Sequence, residues 1–185
     1  MSISRRILVT GASGYVGGRL VRALLNEGLT VRVNVRDKNK ISGQIWANEV
    51  EVSVGNATNF EEMKRALDGV HTAFYLLHSI GVGSDFDELE AEMARNFAKA
   101  AEASGVKQIV YLGGIANVAK QSKHLASRAR TGVELSSTSV PVLELRAGIV
   151  IGSGSASFEM LRHLTHRLPV MTTPKWVSNR THPIA

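Results

Sequence analysis

Short apolar runs alternate with segments of helical periodicity along the whole chain. The first apolar run covers residues 7–9, and apolar residues then recur every three or four positions over residues 15–27. The same reasoning predicts strands at 7–9, 30–35, 50–54, 70–77, 108–112 and 142–147, and helices at 15–27, 61–67, 86–104, 123–137 and 155–168. Gly28 and Gly105 directly follow two of these helices, where glycine commonly ends a helix. The chain therefore alternates strand and helix.

This alternation favours an α/β fold with a doubly wound parallel sheet. Parallel strands must be joined by crossovers, and right-handed crossovers place helices on both faces of the sheet. Strands buried on both faces are expected to be almost continuously apolar, as residues 7–9, 73–77 and 149–151 are. We therefore expect one domain over residues 1–185, with elements on the substrate side from about residue 152 onward.

A glycine-rich segment lies between the first strand and the first helix. It reads Thr-Gly-x-x-Gly-x-x-Gly, with glycines at 11, 14 and 17. In dinucleotide-binding folds such glycines permit a tight turn, an approach of the backbone to a pyrophosphate and close packing of helix on strand. The segment predicts cofactor contacts from Gly11, Ala12, Ser13, Gly14, Tyr15, Val16 and Gly17. The alternative is a glycine-rich turn with a structural role only.

The end of the second strand bears on the type of dinucleotide. An acid there would bond the ribose hydroxyl groups of NAD, whereas an arginine would accommodate the 2′-phosphate of NADP. Arg36 comes first after the strand and Asp37 second, so we favour NADP, with NAD possible, and expect Asp37 to turn away. Both residues could equally be ordinary loop charges.

After the third strand, Asn56 and Ala57 are candidates for the adenine end, although Asn56 could equally be a turn residue.

Composition and charge narrow the function classes. Hydrophobic residues make up 44% and charged residues 21%, which are ordinary values for a globular protein. The 22 basic and 16 acidic residues give a net charge of +6, which suits nucleotide phosphates, but the basic residues are scattered and no nucleic-acid-reading motif accompanies them. The absence of cysteine excludes disulfides and thiolate nucleophiles, and no group of histidines and acids has metal-ligand spacing. With no apolar run of roughly 18 residues and no signal peptide, we expect a cytoplasmic protein without membrane contact.

Several segments together resemble one family. The glycine loop, Val-Arg-Asp at 35–37, Tyr-Leu-Leu-His-Ser at 75–79, Tyr-Leu-Gly-Gly at 111–114 and Leu-Glu-Leu-Arg-Ala at 143–147 resemble the atypical short-chain dehydrogenase/reductases. Within them the chain resembles the single-Rossmann NAD(P)-binding proteins of the NAD-dependent epimerase/dehydratase-like or NmrA-like type. Residues 153–171 and Trp176 carry the same likeness. The resemblance implies a Rossmann fold, and a sheet edge where Leu76, Leu77 and Gly113 approach the cofactor and Gly148 and Ile149 face its carboxamide.

The chain departs from that family in its catalytic pair. The superfamily uses a tyrosine and a lysine four residues apart, but the three tyrosines here are followed by Arg19, Ser79 and Ile115. His124 and Arg128 take that place and share one helix face, so we predict His124 as proton donor and Arg128 as a ribose or oxyanion ligand. The alternative is a solvated helix face. His78, with Ser79, is a weaker candidate, whereas we expect Glu144 and Arg146 to be structural.

Family members usually continue beyond the length of this chain. The substrate region from about residue 152 is therefore expected to be short or truncated, either as a fragment or as a minimal version. Two functions stay open: an NADP-preferring oxidoreductase acting on a small-molecule carbonyl or alcohol, and a non-catalytic NADP(H)-binding redox sensor or scaffold. A basic nucleic-acid-binding module is a third and weaker reading. The resemblance also makes a homodimer possible.

Overall fold

The computed structural model describes residues 5–78, 86–115, 123–168 and 183–184. Within these ranges the strands are β1 (Ile7–Thr10), β2 (Val31–Val35), β3 (Glu51–Val54), β4 (Thr72–Tyr75), β5 (Gln108–Gly114) and β6 (Val142–Ala147). The helices are α1 (Tyr15–Asn26), α2 (Phe60–Leu67), α3 (Phe86–Ala103), α4 (Lys123–Leu135) and α5 (Ala156–Arg167). The six strands and five helices predicted from periodicity are therefore present, with their ends displaced by a few residues at most. Residues 149–151, expected to read as a buried strand, form none: Val150 makes an isolated bridge with Ile184, and Ile149 is exposed.

The strands form one sheet in the order β3-β2-β1-β4-β5-β6. β1 pairs in parallel with β2 on one side, where Val9 lies opposite Val33, and with β4 on the other, where Val9 lies opposite Phe74. The strand order therefore reverses between β1 and β4, the place where doubly wound sheets bind ligands at their carboxyl edge. The predicted Rossmann-type α/β fold is confirmed.

Alternate residues of the strands face two separate apolar layers. Leu8 belongs to a layer that includes residues of α2, α3 and α4, such as Met63, Phe97 and Leu135. Its neighbour Val9 belongs to the opposite layer, with Val21 of α1. Successive side chains of a strand point to opposite faces, so the fully apolar β1 is explained by burial on both faces.

The connection from β2 to β3 is the part of the fold that the periodicity did not predict. It contains a short 3-10 helix, Lys38–Ile41, in place of a full crossover helix. Ile41 and Trp46 are both almost completely buried and extend the layer on the α1 side. Because Ile41 and Trp46 are five positions apart, their packing follows no helical repeat that sequence analysis could detect.

The chain divides into two compact units, Met1–Leu145 and Arg146–Ala185. In the second unit Ser155 caps α5 by accepting a hydrogen bond from the Phe158 amide at 3.3 Å. The Ile184 amide donates to the Ile149 carbonyl at 3.0 Å and its carbonyl accepts from the Ile151 amide at 2.7 Å. The single-domain organisation stays a prediction. Of the helices that the structure describes, none has the length and apolarity of a membrane span.

Candidate functional site

The glycine loop is closed so tightly that two of its glycines are required sterically. Gly11 has a φ of +68°, and a Cβ there would lie 2.8 Å from the Leu76 carbonyl oxygen. A Cβ on Gly17 would lie 2.8 Å from the Gly11 carbonyl carbon and 2.9 Å from the Ala12 Cα. Both contacts are with backbone, which cannot move aside as a flexible side chain would. The loop geometry thus explains why glycine stands at 11 and 17.

Thr10, at the end of β1, fixes the loop to the neighbouring strand. Its hydroxyl group donates to the Phe74 carbonyl oxygen at 3.0 Å and accepts from the Leu76 amide at 3.1 Å. The side chain is fully buried, so these bonds are shielded from water. Thr10 was not among the predicted site residues, although its position directly before the first glycine was a usable signal. It sets the relative position of the ends of β1 and β4.

The N-terminus of α1 has the properties of an anion site. Its N-cap is Gly14, no side chain caps it, and its first turn carries no acid. Ser13 and Gly14 are exposed, whereas Tyr15 and Val16 are half-buried and Ala12 and Gly17 are buried. The first N–H groups of a helix have no partner within the helix, and the helix dipole makes this end positive. The residues of the loop therefore fit the pyrophosphate of a dinucleotide.

Arg36 and Asp37, after β2, are both exposed, but of the two side chains only that of Asp37 has a hydrogen-bond partner among the described residues. The Asp37 carboxylate accepts a hydrogen bond from the Asn39 amide at 2.9 Å and begins the 3-10 helix. Arg36 lines an open cavity of roughly 330 Å³ together with Gly55 and Asn56. Asp37 thus has one carboxylate oxygen engaged in a turn, whereas Arg36 is exposed at the edge of the cavity.

Asn56 and Ala57 have structural roles after β3. The Asn56 side-chain oxygen accepts from the Thr58 amide at 3.2 Å, which is the turn that the sequence offered as one of two interpretations. The Asn56 amide in turn donates to the Glu62 carboxylate at 2.7 Å. Ala57 is buried in the apolar layer beside Met63. A role of either residue at the adenine end stays a prediction.

The three predicted catalytic residues come together near the carboxyl ends of β4 and β5. His78 is exposed, yet desolvation by the protein around it is the largest cause that lowers its pKa. Electrostatic repulsion from Arg128, and to a smaller extent from His124, lowers the pKa of His78 further, and the Leu76 main chain and Glu90 oppose it. The neutral imidazole is therefore favoured. Ser79, named beside His78, lies outside the described residues.

Arg128 is anchored to the main chain of β5. Its guanidinium group donates to the Leu112 carbonyl oxygen, and its own carbonyl oxygen accepts from the Tyr111 hydroxyl group at 2.9 Å. Gly114 faces the same arginine, since a Cβ there would lie 3.6 Å from the Arg128 Cδ. Arg128 is half-buried, whereas His124, one turn earlier on α4, is exposed. The two residues thus share a helix face, but the Arg128 side chain is bonded to the main chain, whereas His124 is exposed to solvent.

The space at Gly113 is taken by a side chain of the protein. A Cβ on Gly113 would lie 3.2 Å from the Glu144 Cδ, and one on Gly132 would lie 3.6 Å from the same atom. Two glycines therefore make room for the Glu144 carboxyl group between β5 and α4. The predicted approach of a cofactor to Gly113 stays a prediction. Glu144 instead has the packed position expected of a structural acid.

A buried carboxylate lies behind the catalytic candidates. Glu90 of α3 is 3% exposed and accepts a hydrogen bond from Ser127 of α4, which is 1% exposed. Desolvation and then the charge of Glu90 raise the pKa of Tyr75, and the charge of Glu90 partly opposes the lowering of the pKa of His78. Sequence analysis missed this pair because its members are 37 positions apart. Nothing in the local pattern around either residue indicated the contact.

The remaining predicted cofactor residues fall into two groups. Leu76 and Leu77 are half-buried at the end of β4 and pack against opposite apolar layers. Gly148 and Ile149 belong to the second compact unit, where the Ile149 carbonyl group accepts from the Ile184 amide. The cofactor contacts of all four stay predictions.

Known proteins similar to this chain include dehydrogenases and reductases. A 3-beta-hydroxysteroid dehydrogenase of Mycolicibacterium neoaurum is 32% identical over 114 residues, covering 61% of this chain and 30% of that protein. A ceramide reductase of Caulobacter vibrioides is 29% identical over 169 residues, covering 89% of this chain and 52% of that protein. The crystal structure of the Citrobacter sp. triphenylmethane reductase complexed with NADP(H) superposes with a TM-score of 0.69 and 26% identity. The superposition covers 87% of this chain and 55% of that one.

The chain thus spans about half or less of the length of these relatives. The model of the NmrA-like family matches residues 4–130, which include the glycine loop, β1 to β5 and the His124–Arg128 face of α4. The resemblance seen in the sequence motifs is confirmed over that range: the chain belongs to the NmrA-like family.

Proposed function

We propose that this protein binds NADP(H) and acts as an oxidoreductase on a carbonyl or alcohol carbon of a small molecule. The observation that carries the proposal is the glycine loop, which places an uncapped helix N-terminus where the strand order reverses. The similarity to dehydrogenases and to a reductase complexed with NADP(H) supports it. A bound nicotinamide would supply the hydride, and the protein would supply orientation and electrostatics.

The preference for NADP over NAD is supported by the residues after β2. Arg36 is exposed and lines the cavity beside Gly55, whereas the Asp37 carboxylate is engaged with the Asn39 amide. NAD sites use an acid to bond the ribose hydroxyl groups, and here that acid already has a structural partner. An arginine instead offers donors that match a phosphate group.

The proton transfer is assigned to His124, and a supporting hydrogen bond to His78. His124 is exposed at the start of α4 and can exchange protons with water and with a substrate oxygen. The lowered pKa of His78 keeps its imidazole neutral, so it acts as a hydrogen-bond partner and not as a cation. Arg128, fixed to the Leu112 carbonyl group, holds a positive charge beside them without losing a proton. These groups would orient and polarise a bound carbonyl oxygen.

The first test is a calorimetric titration with NADPH and with NADH, using Ser13→Asp to probe the loop. Ser13 is exposed next to the N-cap of α1, so an acid there repels a pyrophosphate without disturbing packing. We expect both dinucleotides to bind the variant more than about tenfold more weakly. Asn48→Asp adds the same charge at an exposed position of the β2–β3 connection and serves as control. Wild-type protein that binds neither dinucleotide, or equal effects of the two variants, contradicts the proposal.

A non-catalytic redox sensor is the second candidate, and two observations favour it. None of the three tyrosines is followed by a lysine four residues later, and the Arg128 guanidinium group is already bonded to the main chain. Turnover of a panel of carbonyl substrates, lost in His124→Ala with NADPH binding intact, supports the enzyme. Binding without turnover across the panel supports the sensor.

A further inference from the structure

Two arginines from different elements line one cavity beyond the ends of β2 and β3. Arg36 follows β2, and Arg65 lies in the second turn of α2. Both side chains are exposed and line the open cavity of roughly 330 Å³, together with Glu62. Sequence analysis singled out Arg36 alone, because Arg65 is 29 positions further along and reads as an ordinary exposed helix residue.

Neither arginine has an ion-pair partner among the described residues. Four other arginines differ in this respect, since Arg6 and Arg32 share Glu51, and Arg95 and Arg130 bind acids between α3 and α4. The donors of Arg36 and Arg65 are therefore left for a group outside the protein. An arginine offers several N–H donors in a planar fork that matches phosphate oxygens.

Two acids close to these arginines, Asp37 beside Arg36 and the cavity-lining Glu62, are held by hydrogen bonds within their own turns. Asp37 accepts from the Asn39 amide at 2.9 Å. Glu62 accepts from the Asn56 amide at 2.7 Å and from the Asn59 side-chain amide at 3.2 Å. Glu62 is also fixed by its backbone, since its amide donates to the Asn59 side-chain oxygen at 3.2 Å and so begins α2. Both acids are thus positioned by turns and leave the two guanidinium groups open.

We propose that Arg65 is a specificity-determining residue that binds the 2′-phosphate of NADP(H) together with Arg36. The proposal rests on the proposed NADP(H)-binding function and extends it to a residue of α2. A phosphate monoester carries up to two negative charges near neutral pH, so two guanidinium groups match it better than one. Arg65 makes no comparable contact with NAD(H), which has a hydroxyl group in place of that phosphate.

The test compares Arg65→Gln with Lys64→Gln in titrations with NADPH and NADH. Lys64 is the adjacent exposed residue of α2 and does not line the cavity, so its variant removes the same charge from the same helix. We expect Arg65→Gln to weaken NADPH binding about tenfold and to leave NADH binding unchanged. Lys64→Gln should change neither. Circular dichroism and thermal melts verify that each variant is folded.

The outcomes separate this inference from the function on which it rests. Unchanged NADPH binding in Arg65→Gln overturns the inference while the proposed function stands. An equal loss for NADPH and NADH also overturns it, because the guanidinium group then contacts the adenine or the shared phosphates. If the wild-type protein binds neither dinucleotide, the proposed function fails. In that case adenosine 2′-phosphate is titrated into both proteins. Binding that Arg65→Gln weakens supports the role of Arg65, and any other result overturns it.

Discussion

The glycine loop and the cluster of His78, His124 and Arg128 occupy the same edge of the sheet but are specified in different ways. The loop is specified by close backbone contacts, which Gly17 makes within the loop and Gly11 makes with Leu76 beyond the end of β4. The cluster is assembled from the ends of β4 and β5 and from α4, and a buried acid from α3 lies behind it. The loop thus depends on the backbone of one turn and of the adjacent strand, whereas the cluster depends on side chains from three or more segments.

The largest effect should come from adding one methyl group to the loop. In Gly17→Ala the new Cβ meets backbone at 2.8 Å and 2.9 Å, so β1, the loop and α1 must shift apart. We expect the free energy of unfolding to fall by about 2–3 kcal/mol. Gly43→Ala is the control, because a Cβ there has no atom within 4 Å. Equal stability of the two variants in urea unfolding would contradict the strict specification of the loop.

An intermediate effect is expected behind the catalytic candidates. Ser127→Ala removes a hydroxyl group that donates to the buried Glu90 carboxylate. We expect a loss of about 1–3 kcal/mol in unfolding free energy, because a buried charged acceptor loses a donor. Ser136→Ala is the matched control: Ser136 is exposed at the end of α4, and its hydroxyl group bonds the Gly132 carbonyl. If Ser136→Ala destabilises the protein as much, burial of the Glu90 pair is not what matters.

The smallest effect is a pH dependence caused by His78. Its pKa in the folded protein lies below the ordinary value of 6.5, chiefly because of desolvation and then because of Arg128. The unfolded chain therefore takes up a proton at higher pH than the folded protein does, and stability falls as the pH drops below 6.5. Other groups that act on His78 are Glu90, which opposes the shift, and His124, which adds to it.

The corresponding variant is His78→Gln, and its free energy of unfolding is measured in urea at several pH values around and below 7.5. Relative to the wild-type protein, the variant should gain stability as the pH is lowered from 7.5 toward 5.5. Above pH 7.5 the difference between the two proteins should no longer change with pH, which provides an internal reference. Parallel curves over the whole range would show that His78 does not have the surroundings described.

Most of the fold and the glycine loop could be predicted because both leave short-range patterns in the sequence. Alternating apolar runs and helical repeats gave the six strands and five helices of the described residues nearly to their ends. The spacing of the glycines located the loop because each glycine answers to backbone within a few residues or on the adjacent strand. The 3-10 connection was missed, since the burial of Trp46 follows no repeat.

The chain's own sequence determined its strands and helices, its glycine loop and its membership of the NmrA-like family. Only the tertiary structure decided that Thr10 bonds the ends of two strands, that Glu90 and Ser127 meet between helices, and that Arg65 lies in the cavity of Arg36. The reason is physical. Periodicity and turn geometry are properties of neighbouring residues, whereas a hydrogen bond or a shared cavity between residues 29 to 66 positions apart leaves no pattern in the sequence between them.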